Sequence, residues 1–156
     1  FHKSYMNIVE RLMNHLQNPG HRGKKHLISS GKCGGKITTT WKIVKNMLEI
    51  LEEKTKQNPV QIFINAIENA SLREEITSFQ VGGIIMRKAV ITSPQRRVDL
   101  TLRLITQTAY QKSFGKKLSM ARALADEIMA CYNNDATKSV AIKERSRIEK
   151  EAAGAR

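Results

Sequence analysis

Residues 58–98 constrain the fold more than any other stretch, because the spacing of their apolar residues changes period twice. Asn58-Pro59-Val60-Gln61 offers an N-cap amide, a proline at the first helical position and a glutamine three residues after the cap. That is the pattern of a capping box. Val60, Phe63, Ile64 and Ile67 then recur at helical spacing and predict one buried stripe. A cap is worth about 1 kcal/mol, and burying each large apolar side chain about 1.5–3 kcal/mol. Burial therefore decides that a helix forms, and the cap decides where it begins. From Ile76 the period falls to two. Residues 76–81 and 84–91 are rich in β-branched side chains and meet at Gly82-Gly83, a two-residue hairpin signal. With those glycines as the turn, Val81 faces Ile84, Phe79 faces Met86 and Thr77 faces Lys88, while Ser78, Gln80 and Arg87 take the other side. Ser93-Pro94 closes the second strand and caps a further helix whose first turn carries Arg96-Arg97. Two strands alone are marginal in water. The apolar face of this ribbon is covered either by the chain's own helices or, if it projects, by a partner.

Charge sets the partner class. The formal net charge is +13 over 156 residues, which directs the chain towards polyanions, with nucleic acid ahead of an anionic membrane surface. Between Glu10 and Glu49 no acidic residue occurs, whereas Arg11, Arg22, Lys24, Lys25, Lys32, Lys36, Lys42 and Lys45 do, interrupted by Gly20, Gly23, Gly31, Gly34 and Gly35. Glycine lets backbone approach a phosphate closely and lysine neutralises it. The loop over residues 18–40 is therefore read as a phosphate-contacting segment. Arg96 and Arg97 sit at a helix start, where the dipole disfavours cations by a few tenths of a kcal/mol. This points to an acceptor outside the helix, and phosphate suits arginine's bidentate fork. Arg103 lies further along the same helix, and Gly115-Lys116-Lys117 forms a second, shorter basic loop.

Several chemistries are excluded. Gly31-Lys32-Cys33-Gly34-Gly35-Lys36 lacks the glycine spacing of a P-loop, and Ile37 stands where serine or threonine is needed. His21, His26 and Cys33 lack a fourth ligand and finger spacing, so no metal or other cofactor is expected. Cys33 and Cys131 read as free thiols in a reducing compartment. Asp126 and Glu127 are sequence neighbours that point in different directions on a helix, a structural pattern and not a paired-carboxylate site. No nucleophile, base and orienting group assemble, so no catalytic residue and no small-molecule substrate are assigned. No run of eighteen apolar residues and no signal-peptide pattern is present, and no membrane partner is expected. The chain opens on Phe1 and is read as starting inside a longer one.

The remaining helices follow from periodicity. Tyr5, Ile8, Val9, Leu12 and Leu16 form a stripe stopped by Asn18-Pro19-Gly20. Thr40 reads as the cap of a helix with Val44, Met47, Leu48 and Leu51 inward, and Trp41 reads as a partly buried core aromatic in preference to a base-stacking platform. Val98, Leu102, Ile105 and Ala109 give another stripe. Ser119 caps a helix ending at Asn133-Asn134, and a last, charge-rich helix starts near Ser139 with the thin stripe Ala141, Ile148 and Ala152. The expected architecture is a mainly α single domain over residues 1–156, with about six helices and a β-ribbon over residues 76–91 between the third and fourth.

Asn58-Pro59-Val60-Gln61, Asn65-Ala66-Ile67, Arg73-Glu74, Gly82-Gly83, Ala89-Val90, Ser93-Pro94-Gln95-Arg96-Arg97-Val98-Asp99, Ala125-Asp126-Glu127-Ile128 and Ser139-Val140-Ala141-Ile142-Lys143 together resemble small-subunit ribosomal protein seven, in its archaeal and eukaryotic cytosolic branch. The resemblance covers nearly the whole chain. It implies a structural protein of the cytoplasmic ribosome that binds the 3′ major domain of small-subunit ribosomal RNA and organises head assembly. It implies ribosomal RNA contact by the matched loop at Gly23-Lys24-Lys25. Its ribbon, here Phe79, Val81, Gly82, Gly83, Ile84, Met86, Arg87 and Lys88, would lie near messenger RNA and exit-site tRNA, beside other head or platform proteins. Where many relatives carry a basic residue this chain has Ser78, and Met86 stands where others are often basic, which shifts the ribbon's expected contacts from phosphate towards apolar surface. On charge and shape alone, an architectural DNA-binding protein with a ribbon arm is the alternative.

Overall fold

The computed structural model describes residues 2–20 and 35–155. A single turn of 3-10 helix at His2–Tyr5, unmarked in the sequence, leads into α1 (Ile8–Gln17). Then follow α2 (Ile37–Thr55), α3 (Pro59–Ala70), β1 (Glu74–Val81), β2 (Ile84–Ile91), α4 (Pro94–Ser113), α5 (Met120–Tyr132) and α6 (Val140–Ala153). Among the described residues this is a mainly α fold of six α-helices with one antiparallel hairpin inserted between the third and fourth.

Helix starts follow local side-chain chemistry. Asn7, Asn58, Ser119 and Ser139 each accept a backbone N–H of the turn they open, satisfying donors that have no partner inside the helix. Gln61 does not complete a capping box; its Nε2 donates to Asn65 Oδ1 at 2.9 Å, one turn on, so Asn58 caps α3 alone. Ser93 opens α4 without a side-chain bond, leaving the start to Pro94, whose missing N–H is no loss there. Thr40 is not a cap. α2 begins a turn earlier, with Lys36 in the cap position, and the buried Thr40 hydroxyl donates to the Ile37 carbonyl at 2.9 Å. A threonine bonded three residues back is content inside a first turn.

The core is built around α5. Ala121, Ala123, Leu124, Ala125, Glu127, Ile128, Ala130 and Cys131 are all buried, so this helix is enclosed on most sides. It packs against α2, α3 and α4, and its alanines let those neighbours come close. Leu12 and Leu16 from α1, Val44, Met47 and Leu51 from α2, Phe63 and Ile67 from α3, and Leu102 and Ile105 from α4 complete one cluster. On α3 the buried set is Ile62, Phe63, Ala66, Ile67 and Ala70, and Val60 stands exposed. The stripe is turned from the expected one because α3 meets both α2 and α5.

The ribbon has the register its sequence predicts, with Val81 opposite Ile84, Phe79 opposite Met86 and Thr77 opposite Lys88. Gly82 and Gly83 both have positive φ, at 56° and 88°, the backbone of a primed two-residue turn. A Cβ at either would meet nothing within 4 Å, so conformation alone and not crowding demands glycine. The strands begin at Glu74, two residues before the expected ribbon start. The base of the ribbon lies against α6, where Ile76, Ala89 and Val90 are half-buried. Beyond it the ribbon projects: residues 77–88 are exposed on both faces.

Candidate nucleic-acid interface

The acidic residues of the body are largely consumed by internal ties. Asp99 of α4 lies 2.7 Å from the Arg11 guanidinium of α1, with Lys3 Nζ at 3.8 Å and His15 Nε2 at 3.7 Å. Burial pushes the Asp99 carboxyl up, but the hydrogen bond and charge of Arg11, backed by Lys3 and His15, outweigh it and hold the group below its ordinary value. Burial lowers His15 more than Asp99 raises it, so the imidazole lies below its ordinary value. Asp126 pairs with Lys54 at 2.6 Å, and the fully buried Glu127 pairs with Lys112 at 2.5 Å. Asp126 and Glu127 thus serve different neighbours, the structural reading of that pair.

Arg96 and Arg97 have acceptors within the chain. Arg96 Nε and Nη2 donate to the two carboxylate oxygens of Glu75 at 2.6 and 2.9 Å, a bidentate clasp from the first turn of α4 to the ribbon base. Arg97 Nε donates to the Thr92 carbonyl at 2.9 Å. The anomaly of two cations at a helix start is therefore answered inside the molecule, by partners that lie 21 and 5 residues earlier in the chain.

The other predicted contacts are spread over the surface. Lys36 is exposed at the start of α2, and Arg103 is exposed on α4, one turn beyond Asp99. Lys116 and Lys117 are exposed in the turn after α4, where Gly115 adopts φ 68°. α4 is 20 residues long, so Arg96 and Lys116 stand roughly 30 Å apart. They form no single patch. Arg22, Lys24, Lys25 and Lys32 lie outside the described residues, as do His21, His26 and Cys33. Among the described residues no group of His, Cys, Asp and Glu side chains is placed to hold a metal ion, and no helix is long and apolar enough to cross a membrane.

On the ribbon, Phe79, Val81, Ile84, Ile85 and Met86 are exposed beside Gly82 and Gly83, and Arg87 and Lys88 follow on β2. Residues 79–86 contain no charged side chain. The structure corrects one aromatic reading and adds one basic residue that the sequence does not single out. Trp41 is not in the core but 54% exposed, because the inward line of α2 runs through Thr40, Val44, Met47 and Leu51. Arg11 is a buried strut, signalled only by its place on the apolar side of α1 next to Leu12.

Compared with known families, residues 1–156 match the model for ribosomal protein S7p/S5e. The chain belongs to the ribosomal protein S7p/S5e family. Its role is accordingly structural and ribosomal, not enzymatic. Three similar curated proteins all bear the name small ribosomal subunit protein uS7. The one from Nanoarchaeum equitans is 47% identical over 156 residues, covering 100% of this chain and 78% of the relative. That of Thermoplasma volcanium is 46% identical over 154 residues, covering 99% and 77%. That of Archaeoglobus fulgidus is 41% identical over 156 residues, covering 100% and 74%. Family membership gives the six-helix body and its inserted ribbon a common frame. The basic surface is then the part of an S7p/S5e protein to be explained by what it touches.

Proposed function

We propose that this chain is a constituent of the small ribosomal subunit that grips the 3′ major domain of its ribosomal RNA, helps organise the subunit head, and directs its ribbon towards messenger RNA and exit-site tRNA. The observation carrying this reading is the match of residues 1–156 to the family, in a chain of net charge +13 many of whose carboxylates are tied up internally. Arg22, Lys24, Lys25, Lys32, Lys36, Arg103, Lys116 and Lys117 are the proposed ribosomal RNA contacts. Arg96 and Arg97 join them as struts; Arg96 keeps Nη1 for a phosphate while Nε and Nη2 hold Glu75. Folded RNA is met through its backbone surface and unpaired bases more than through a groove code.

Neighbouring head or platform proteins, and a cytoplasmic location, belong to the same reading. The uncharged tip at residues 79–86 favours apolar contacts there over phosphate contacts. The test is binding of the purified chain to a transcript of the 3′ major domain across a salt series. Affinity is expected to fall by about 0.7–0.9 log units per log salt for each phosphate neutralised. Duplex DNA is expected to compete poorly. Equal competition would favour a DNA-binding architectural role, and indifference to the transcript at low salt would remove the reading altogether.

A further inference from the structure

We infer that Trp41 is a stacking platform for an unpaired RNA base, held between lysines that neutralise the flanking phosphates. The inference rests on the ribosomal RNA reading above and adds a residue to it. Trp41 is the one tryptophan of the chain, and more than half of it faces solvent on a regular helix, although large aromatics ordinarily bury. Ile37, one turn before it on the same flank, is 58% exposed, and Lys45 stands one turn after it. Lys42, next in sequence, is also exposed, as is Lys36 at the head of the helix.

Charge and size decide the occupant. From residue 36 to residue 48 the chain has three lysines and no carboxylate. The first acid is Glu49, whose contact with Lys45 is 3.8 Å long and exposed at both ends, a pair of little energetic weight. A protein partner would need an apolar surface of several hundred Å², and among the described residues of α2 the exposed large apolar side chains are Ile37 and Trp41. A single nucleobase matches that footprint. An indole face accepts any base, and the adjacent ammonium groups supply the backbone contacts that single-stranded RNA requires.

Because no other tryptophan contributes, emission excited at the indole reports on this position alone. The experiment titrates the full chain with the 3′ major domain transcript, recording emission together with anisotropy of end-labelled RNA. Emission is expected to be quenched in step with binding. Trp41→Ala is expected to weaken binding roughly five- to a hundredfold with an unchanged salt slope, since stacking releases no counterions. Trp41→Phe is expected to retain most of the affinity. Lys42→Ala with Lys45→Ala is expected to flatten the slope by about 0.7–0.9 per phosphate lost. RNA that binds with emission unchanged and with wild-type affinity for Trp41→Ala would overturn the inference and leave ribosomal RNA binding standing. Quenching by small-subunit proteins but not by RNA would overturn it in favour of a protein partner. Failure of the wild-type chain to bind the transcript would remove both readings. The emission measurement needs no variant, so a fold defect in Trp41→Ala leaves it decisive.

Discussion

Lys112 Nζ and Glu127 Oε2 meet at 2.5 Å, joining the last turn of α4 to the middle of α5. The other oxygen, Glu127 Oε1, accepts from Ser139 Oγ at 2.9 Å, Val140 N at 3.0 Å and Ala141 N at 3.3 Å. One buried carboxylate thus ties three helices and sits at the start of α6, where the helix dipole favours an anion. Ser139 also shares a 3.2 Å contact with the Cys131 thiol, so the junction is continuous with the core.

Glu127→Ala removes the acceptor for the buried Ser139, Val140 and Ala141 donors and leaves Lys112, 35% exposed, with only the Lys138 carbonyl at 3.3 Å. The expected cost is about 3–5 kcal/mol, read as a lowered urea midpoint with the slope unchanged. Glu127→Gln, which keeps an oxygen but not the charge, is expected to fall between. A Glu127→Ala protein as stable as wild type would show that the junction holds without its anion.

The Glu75–Arg96 clasp separates a strut from an RNA contact. The pair is exposed on its arginine side, so either alanine substitution alone is expected to cost no more than about 1 kcal/mol. The two are expected to be non-additive, as partners in one interaction are. Arg96→Ala is expected to weaken binding to the ribosomal RNA transcript. Glu75→Ala, which frees the guanidinium, is expected to preserve or strengthen it. Equal binding by both variants would confine Arg96 to holding the ribbon base.

Stability is expected to decline as pH falls below the ordinary histidine value of 6.5, because unfolded His15 gains a proton there that the folded, desolvated His15 resists. The contribution is present in full above that pH and is lost as pH descends through the lowered folded value. Asp99 adds a second loss only below 3.8, where its carboxylate gives up Arg11. His15→Gln is expected to flatten the urea midpoint between pH 7 and pH 5. A slope unaltered by that substitution would assign it to other groups.

Replacing residues 79–86 by an Asn-Gly turn is expected to leave the melting temperature of the body nearly unchanged, since residues 77–88 are exposed. Affinity for the ribosomal RNA transcript is expected to survive as well. Loss of helical signal by circular dichroism would mean that the projecting part of the ribbon supports the body.

The Cys131 thiol is pushed up to about 12 by burial, only partly offset by its contact with Ser139. In a Cys33→Ser background, the native protein is expected to resist a thiol reagent at pH 8 and to react fully in denaturant. Prompt native reaction would report opening of the α5–α6 junction.

The ribbon was legible in the sequence because Gly82-Gly83 fixes the turn and a period of two leaves no other register. The start of α3 was equally plain, since Asn58 and Pro59 mark it by local chemistry. The start of α2 was not. Thr40 reads as its cap, and only packing against α1, α3 and α5 decides which residues of α2 turn inward. That packing placed Trp41 outside. The arginines at the head of α4 were visible as an anomaly, but their acceptors, Glu75 and the Thr92 carbonyl, become neighbours only in three dimensions. The same holds for Glu127, readable as structural, whose partners lie 12 to 15 residues away. The predicted contacts in residues 21–34 fall outside the described residues.

The alanines of α5 have a mechanical consequence. Ala123 and Ala125 have no exposed surface, and α5 packs against α2, α3 and α4. A bulkier side chain at either position would act as a shim, prising apart helices that carry Trp41 and Arg96 and, in the turn after α4, lead to Lys116. In this molecule the smallest side chains set the gauge on which its proposed RNA contacts are spaced.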